Sequence, residues 1–134
     1  MLAMPQEDAK QEVVRQAEAI RVAVGADRFS QAKANVTPCE GRRGELSDSA
    51  EVYYVQGIYQ MLIPVAEHLT VLAKARSALE SSGYTIEKER TFPVSGGGEI
   101  TAGAANGYSA SLTSGDELAM LLMVSSPCYR TPAA

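Results

Sequence analysis

The chain has 134 residues and a formal net charge of −4, with 16 acidic against 12 basic residues. This length fits one domain, residues 1–134, with a hydrophobic core of its own. The mild acidity speaks against nucleic-acid binding, which requires clustered basic side chains. The only local basic pair, Arg42 and Arg43, belongs to a predicted solvated turn. No apolar run approaches the roughly 20 residues that span a bilayer.

The first residues do not resemble a signal peptide. Residues 1–5 are followed at once by charges, where a signal peptide would continue with an apolar stretch. If the protein is exported, we expect its targeting segment to have been removed and the first few residues to be foreign to the mature domain.

The first half of the chain is predicted to contain one helix and two strands. Residues 5–25 carry apolar residues at helical spacing, with Gly25 as the C-terminal stop. Residues 29–36 form a weaker strand, and an exposed loop follows over residues 38–49. Residues 51–61 alternate as a half-buried strand requires. The side chains expected to face the core are Val13, Ala17, Ile20, Val24, Tyr53, Val55, Gly57, Tyr59 and Met61.

The second half is predicted to contain one helix and four strands. The helix begins at Pro64 and runs to about residue 82, where Gly83 ends it. Strands over residues 84–92 and 99–102 flank a turn at the triple glycine 96–98. Asn106-Gly107 predicts a type I′ hairpin into the strand 108–113, and the apolar run 118–124 predicts a buried central strand. The helix stripe is expected to contain Val65, Leu69, Leu72 and Leu79.

The order of elements is therefore α-β-β-α-β-β-β-β. Runs of antiparallel strands with segregated helices indicate an α+β fold rather than a doubly wound parallel sheet. We predict a two-layer sandwich in which two helices cover an antiparallel sheet.

Cys39 and Cys128 are the only cysteines, and each follows a proline. With the single histidine, His68, they are too few for a structural zinc site, which takes about four ligands, so no metal is predicted. Their wide spacing favours a structural disulfide. The alternatives are two free buried thiols and a catalytic thiol that pairs with His68. A disulfide would place the chain outside the cytosol.

His68 is the residue most suited to acid–base chemistry, with a carboxylate such as Glu67 or Glu99 as partner. Adjacent helical residues do not face each other, so Glu67 and His68 are not a preformed pair. We expect His68 to lie at the edge of the packed face, beside Leu69, without a catalytic role. The glycines at 96–98 lack the following helix N-terminus that a phosphate loop needs, so no cofactor is predicted.

A strand in the second half carries hydroxyl side chains on its polar face, at Ser109, Ser111 and Thr113. Such a face binds polar surfaces such as glycans or peptide backbones, although the same pattern is typical of the solvent side of an antiparallel strand. Tyr54 lies off the apolar face of its own strand, and tyrosine is enriched at interfaces. These four residues are the candidate partner contacts.

Several segments resemble a family of small exported actinobacterial (Streptomyces-like) proteins of unknown function, often anchored by lipid. They are PCEGRRGE at 38–45, YYVQGIYQM at 53–61, ITAG at 100–103, GYSASLTS at 107–114 and SPCYR at 126–130. The resemblance implies no activity, but it implies a mature ectodomain outside the membrane with paired cysteines. The chain has no lipid-acceptor cysteine near Met1, so an anchor would lie in a segment removed from it.

These observations favour a non-enzymatic exported domain, extracellular or at the cell surface, that binds a protein or a cell-envelope component. No catalytic constellation is assembled in the sequence. The alternatives are a secreted inhibitor or immunity-type protein, which would form a tight complex with one enzyme, and a small hydrolase that uses His68. Loss of turnover in a folded His68→Ala variant would identify the hydrolase.

Overall fold

The computed structural model describes residues 2–39 and 51–132. Two helices lie on one face of an antiparallel sheet, which confirms the predicted α+β sandwich. Helix α1 is Gln6–Val24 and helix α2 is His68–Ser81, with a 3-10 turn, Val65–Glu67, directly before α2. The strands are β1 Gln31–Pro38, β2 Val52–Leu62, β3 Tyr84–Phe92, β4 Gly97–Ala104, β5 Ser109–Ser114, β6 Ala119–Ser125 and β7 Tyr129–Arg130.

The sheet has the order β1-β2-β6-β5-β4-β3, and every neighbouring pair is antiparallel. Strand β7 pairs with β2 beyond the end of β6. It was not predicted, because two residues are too few to show an alternating pattern. Helix α1 packs over β1, β2 and β6, while α2 packs over β3, β4 and β5.

Helix α1 follows its sequence pattern closely. Its predicted stripe is buried, together with Ala9. Gly25 ends the helix in the left-handed conformation with φ 81°, which glycine adopts without steric cost. On the exposed side, Arg15 and Arg21 pair with Glu12 and Glu18 one turn earlier.

Strand β2 alternates as predicted, with Tyr53, Val55, Gly57, Tyr59 and Met61 facing the helices. Gly57 is required by a close approach to α1. A Cβ atom at this position would lie 2.7 Å from a methyl group of Val13 and 2.6 Å from the ring of Tyr59. The glycine therefore lets the aromatic ring fit between the helix and the strand.

The predicted stripe of α2 is only partly correct: Leu79 is buried and Leu72 packs against the core, but Val65 lies in the preceding 3-10 turn. Leu69 is 48% exposed, whereas His68 is completely buried. The buried residues of the helix are His68, Val71, Ala75 and Leu79. Leucine outranks histidine in hydrophobicity, so the pattern selected Leu69 in place of its buried neighbour His68.

The predicted hairpin at Asn106-Gly107 is present, but the prediction of a type I′ turn is wrong. A type I′ turn needs positive φ at both central residues, and only Gly107 has it, with φ 91°. The loop spans residues 105–107 and is closed by a hydrogen bond from Ala104 N–H to the Tyr108 carbonyl, 2.8 Å. The Asn106 side chain accepts a hydrogen bond from Tyr108 N–H, which favours this three-residue loop.

The triple glycine is divided between a turn and a strand. Gly96 ends the turn with φ 82°, whereas Gly97 and Gly98 already belong to β4. A Cβ at Gly98 would lie 2.6 Å from the Arg90 carbonyl oxygen on the neighbouring strand. Close packing, rather than turn formation alone, therefore explains these glycines.

Cys39 and Cys128 form the predicted disulfide, with their Cα atoms 6.3 Å apart. It joins the end of β1 to the segment before β7. The N-terminal residues reach the same end of the sheet, because Met4 N–H donates a hydrogen bond to the Arg130 carbonyl, 2.9 Å. The turn predicted around Arg42 and Arg43 lies outside the described residues.

Candidate functional site

The sheet face that points away from the helices is covered by no helix or strand within residues 2–39 and 51–132; we call it the open face. The strand registers align its side chains in rows. The central row is Lys33, Ile58, Met123, Ser111, Thr101 and Lys88. One flanking row is Gln31, Gln60, Leu121, Thr113, Glu99 and Arg90, and the other is Asn35, Gln56, Ser125, Ser109, Gly103 and Thr85.

All four candidate partner contacts lie on the open face. Ser109, Ser111 and Thr113 follow one another along β5, and Tyr54 lies on β2, opposite Thr37 of β1. Each of the four is partly accessible. Strand β6 separates Tyr54 from the hydroxyl groups, so the four residues belong to one surface but do not touch as one cluster.

An apolar strip that the sequence pattern did not reveal crosses the middle of the open face. Ile58 lies opposite Met123 in the register, and Leu121 lies on the same face two residues before Met123. Strand β6 is central, as predicted, but beyond Ala119 only its helix-facing side is buried; Leu121 is 37% exposed. Its continuous apolar run is typical of a strand covered on both sides, which hid the alternation. The strip places apolar and hydroxyl side chains side by side.

The β3 side of the open face is charged. Lys88 Nζ and Arg90 Nε approach the same Glu99 carboxylate oxygen at 3.2 and 2.5 Å. Desolvation opposes the ionisation of Glu99, but the hydrogen bonds from Lys88 and Arg90 prevail and hold the pKa of this carboxyl below its usual value. The Arg90 guanidinium also lies 5.3 Å from the centre of the Phe92 ring. This side of the face therefore carries both signs of charge, paired with each other.

His68 is the centre of a buried hydrogen-bond network rather than a boundary residue. Its Nε2 lies 2.6 Å from the Ile63 carbonyl oxygen, and its Nδ1 lies 2.9 Å from Ser114 Oγ. A carbonyl only accepts, so Nε2 carries the proton and donates it. Nδ1 and the Ser114 hydroxyl share the second hydrogen bond, and Ser114 Oγ also accepts from Gly98 N–H at 3.0 Å. Every polar atom of this network is satisfied.

The structure does not bring His68 together with its candidate carboxylates. Glu99 lies on the open face, paired with Lys88 and Arg90, while His68 lies under the helices on the opposite side of the sheet. Glu67 directly precedes His68 and is exposed. The imidazole has no access to solvent, so the arrangement supports a structural role for His68.

Within the described ranges, no three His, Cys, Asp or Glu side chains lie close enough to hold a metal ion. None of the helices in that part of the chain is long and apolar enough to cross a membrane.

Comparison with protein-family models, with curated proteins and with solved structures finds no match to the chain. The resemblance to exported actinobacterial proteins therefore stays a prediction. A function for the chain has to be inferred from the molecule itself.

Proposed function

We propose that the chain is an exported, non-enzymatic domain that binds a protein or a cell-envelope component through its open face. The observation that carries this proposal is the position of the four candidate contacts. Tyr54 on β2 and Ser109, Ser111 and Thr113 on β5 all lie on the open face, which no described helix or strand covers.

The composition of the open face supports a protein-like partner. Ile58, Leu121 and Met123 offer apolar area at the centre, and the hydroxyl groups of β5 offer hydrogen bonds beside it. Interface cores are poor in charge and rich in tyrosine and methionine, and their rims are polar. Charges on the open face lie at Lys33 on β1, at Arg130 on β7, and around Glu99 on β4 and β3.

The disulfide supports export, because such bonds persist in oxidising compartments. Cys39 and Cys128 join distant parts of the chain without any nearby third cysteine, which is typical of a structural bond rather than a redox pair. Attachment of the mature domain to the membrane by lipid is part of the proposal and derives from the family resemblance.

Site-directed photo-crosslinking on intact cells of the source organism tests the proposal. A benzoylphenylalanine at position 111 probes the centre of the open face, and one at position 77, on the exposed side of α2, is the matched control. We expect a discrete adduct from position 111 that the added substitution Tyr54→Ala weakens. Equal adducts from both positions, or an adduct from position 77 alone, would contradict the proposal.

The size and nature of the adduct separate the candidate functions. A cell-wall or lipid component, or a non-enzymatic protein, supports the envelope-binding domain. A single enzyme that co-purifies in a one-to-one complex and loses its activity identifies the inhibitor or immunity-type alternative.

A further inference from the structure

Strand β1 forms an edge of the sheet. Among the described residues it pairs with β2 on one side, and no strand lies on its other side. Cys39 N–H donates to the Val52 carbonyl, so the odd-numbered residues of β1 form the hydrogen-bonded pairs with β2. The antiparallel pattern then points the backbone groups of Ala32, Ala34 and Val36 outward. This edge is a template for a further strand.

The two edges of the sheet differ in protection. Strand β3, at the opposite edge, carries the alternating charges of residues 87–90 and a register shift between Ile86 and Lys88, both of which prevent strand addition. Strand β1 carries only one charge, Lys33, and its outward positions are small and apolar. The β1 edge is therefore the one suited to pairing.

A shallow apolar groove continues this edge on the helix side. It lies between β1 and the outer flank of α1, where Val14 and Val22 are 49% and 63% exposed. Ala34 forms its floor at the middle of β1, and Lys10 and Glu18 lie along its rim. An added strand would cover this apolar area.

The geometry points to a second copy of the chain as the occupant, in a two-fold dimer whose β1 strands pair antiparallel. With the axis at Ala34, this residue pairs with its own copy, and Ala32 pairs with Val36 of the second copy. On the open face, Lys33 then lies opposite Asn35 of the second copy rather than opposite another lysine. The outward-pointing residues that pair in this register, Ala32, Ala34 and Val36, all have an N–H to donate. Pro38, which has none, lies beyond the paired residues.

The charges of α1 match the same axis. Lys10 and Glu18 are each four residues from Val14, and Ala34 is the residue of β1 that lines the same groove. When two α1 helices are related by the axis, Lys10 of each lies at the height of Glu18 of the other. Both hydrogen bonds that Arg21 donates to Glu18 go to Oε1. When α1 is reversed, Lys10 and Glu18 exchange places along the helix, so α1 is complementary in charge to a second copy of itself. An unrelated partner would not require this symmetry.

In such a dimer the two sheets join edge to edge, and both open faces point to the same side. The proposed binding face doubles in width without losing any of its residues. The dimer does not depend on the proposed function, since it uses the β1 edge and α1.

Sedimentation equilibrium and amide hydrogen exchange test the dimer on the purified, oxidised chain. We expect a concentration-dependent monomer–dimer equilibrium and, in the same concentration range, protection of the Ala32, Ala34 and Val36 amides. A protein that remains monomeric at millimolar concentration would overturn the inference. Protection of these amides only after addition of an envelope extract would do the same and would identify a foreign strand.

Charge exchange gives the sharper test. Lys10→Glu and Glu18→Lys should each weaken the dimer about tenfold. Each substitution puts like charges opposite each other at both of the contacts that the two-fold axis relates. The double variant should regain the wild-type dissociation constant. Lys74→Glu, on the exposed side of α2, is the matched control and should change nothing. A double variant no better than the single ones would refute the register.

Ala34→Pro tests the backbone contacts, since proline is tolerated where an edge N–H faces solvent. It should give a folded monomer, as judged by circular dichroism. A folded Ala34→Pro variant that dimerises with wild-type affinity would place the interface elsewhere and overturn the inference.

Discussion

Ser114 Oγ lies 2.9 Å from His68 Nδ1 and connects helix α2 to strand β5 inside the core. The same oxygen accepts a hydrogen bond from Gly98 N–H on β4. The contact is possible because residue 97 is glycine: a Cβ there would lie 2.6 Å from the Ser114 Cβ. One serine and one histidine thus hold two strands and a helix in a single arrangement.

We predict that His68→Leu destabilises the fold by about 2 to 4 kcal/mol, because it leaves the Ile63 carbonyl and the Ser114 hydroxyl buried without their partner. Ser114→Ala should cost a similar amount, and the double variant less than the sum of the two. Urea unfolding measures all three, with the exposed Ser77→Ala as control. Strictly additive costs would show that the two side chains act independently.

The buried position of His68 could not be predicted from the sequence. Periodicity identified α1 and β2 because their apolar residues are unambiguous, as with Val13 and Tyr53. In α2 the apolar Leu69 is a stronger core candidate by sequence than its neighbour His68, and only the surrounding carbonyl and hydroxyl groups make burial of the imidazole favourable. The Ser114 hydroxyl comes from a residue far away in sequence.

The open face, too, could be predicted from the sequence only in part. Tyr54 and the hydroxyl positions of β5 were assigned to polar strand faces by alternation alone. That these faces form one surface depends on strand order, which places β6 between β2 and β5. The apolar strip at Met123 was missed because a continuous apolar run does not show which of its sides is covered.

We predict that Gly57→Ala destabilises the domain by about 1 to 3 kcal/mol, because the new methyl group overlaps Val13 and the ring of Tyr59. Adding Val13→Ala should recover part of this loss, relative to Val13→Ala alone, by making room. Thermal or urea unfolding measures the effect.

Gly25→Ala is the control for Gly57. No atom lies within 4 Å of the place that a Cβ at Gly25 would occupy, so the expected cost of about 1 kcal/mol comes from the left-handed backbone alone. Val13→Ala should not relieve that cost. Equal rescue of both glycine variants would disprove steric overlap at Gly57.

We predict that loss of the disulfide destabilises the protein by about 4 to 5 kcal/mol at most, because Cys39 and Cys128 are 89 residues apart and the bond restricts a long loop in the unfolded chain. The double variant Cys39→Ser, Cys128→Ser should unfold at lower urea concentration than the oxidised wild type and should be unaffected by dithiothreitol. Thiol titration of the denatured, unreduced wild type should find no free thiol. Two free thiols would remove the main support for export.

Glu99 is expected to make stability depend on pH in the acid range. Desolvation raises the pKa of Glu99, but the hydrogen bonds from Lys88 and Arg90 outweigh it and hold this pKa below its ordinary value of 4.5, so the folded state binds the proton less readily than the unfolded state. The stabilisation is therefore complete above the unfolded-state pKa and is lost as the pH falls through the folded-state pKa. The difference in unfolding free energy between wild type and Glu99→Gln should be constant near neutral pH and shrink below about 4.5. Carboxyl NMR titration should show the pKa of Glu99 moving upward in Arg90→Ala, and an unchanged midpoint would mean that the arginine does not stabilise the carboxylate.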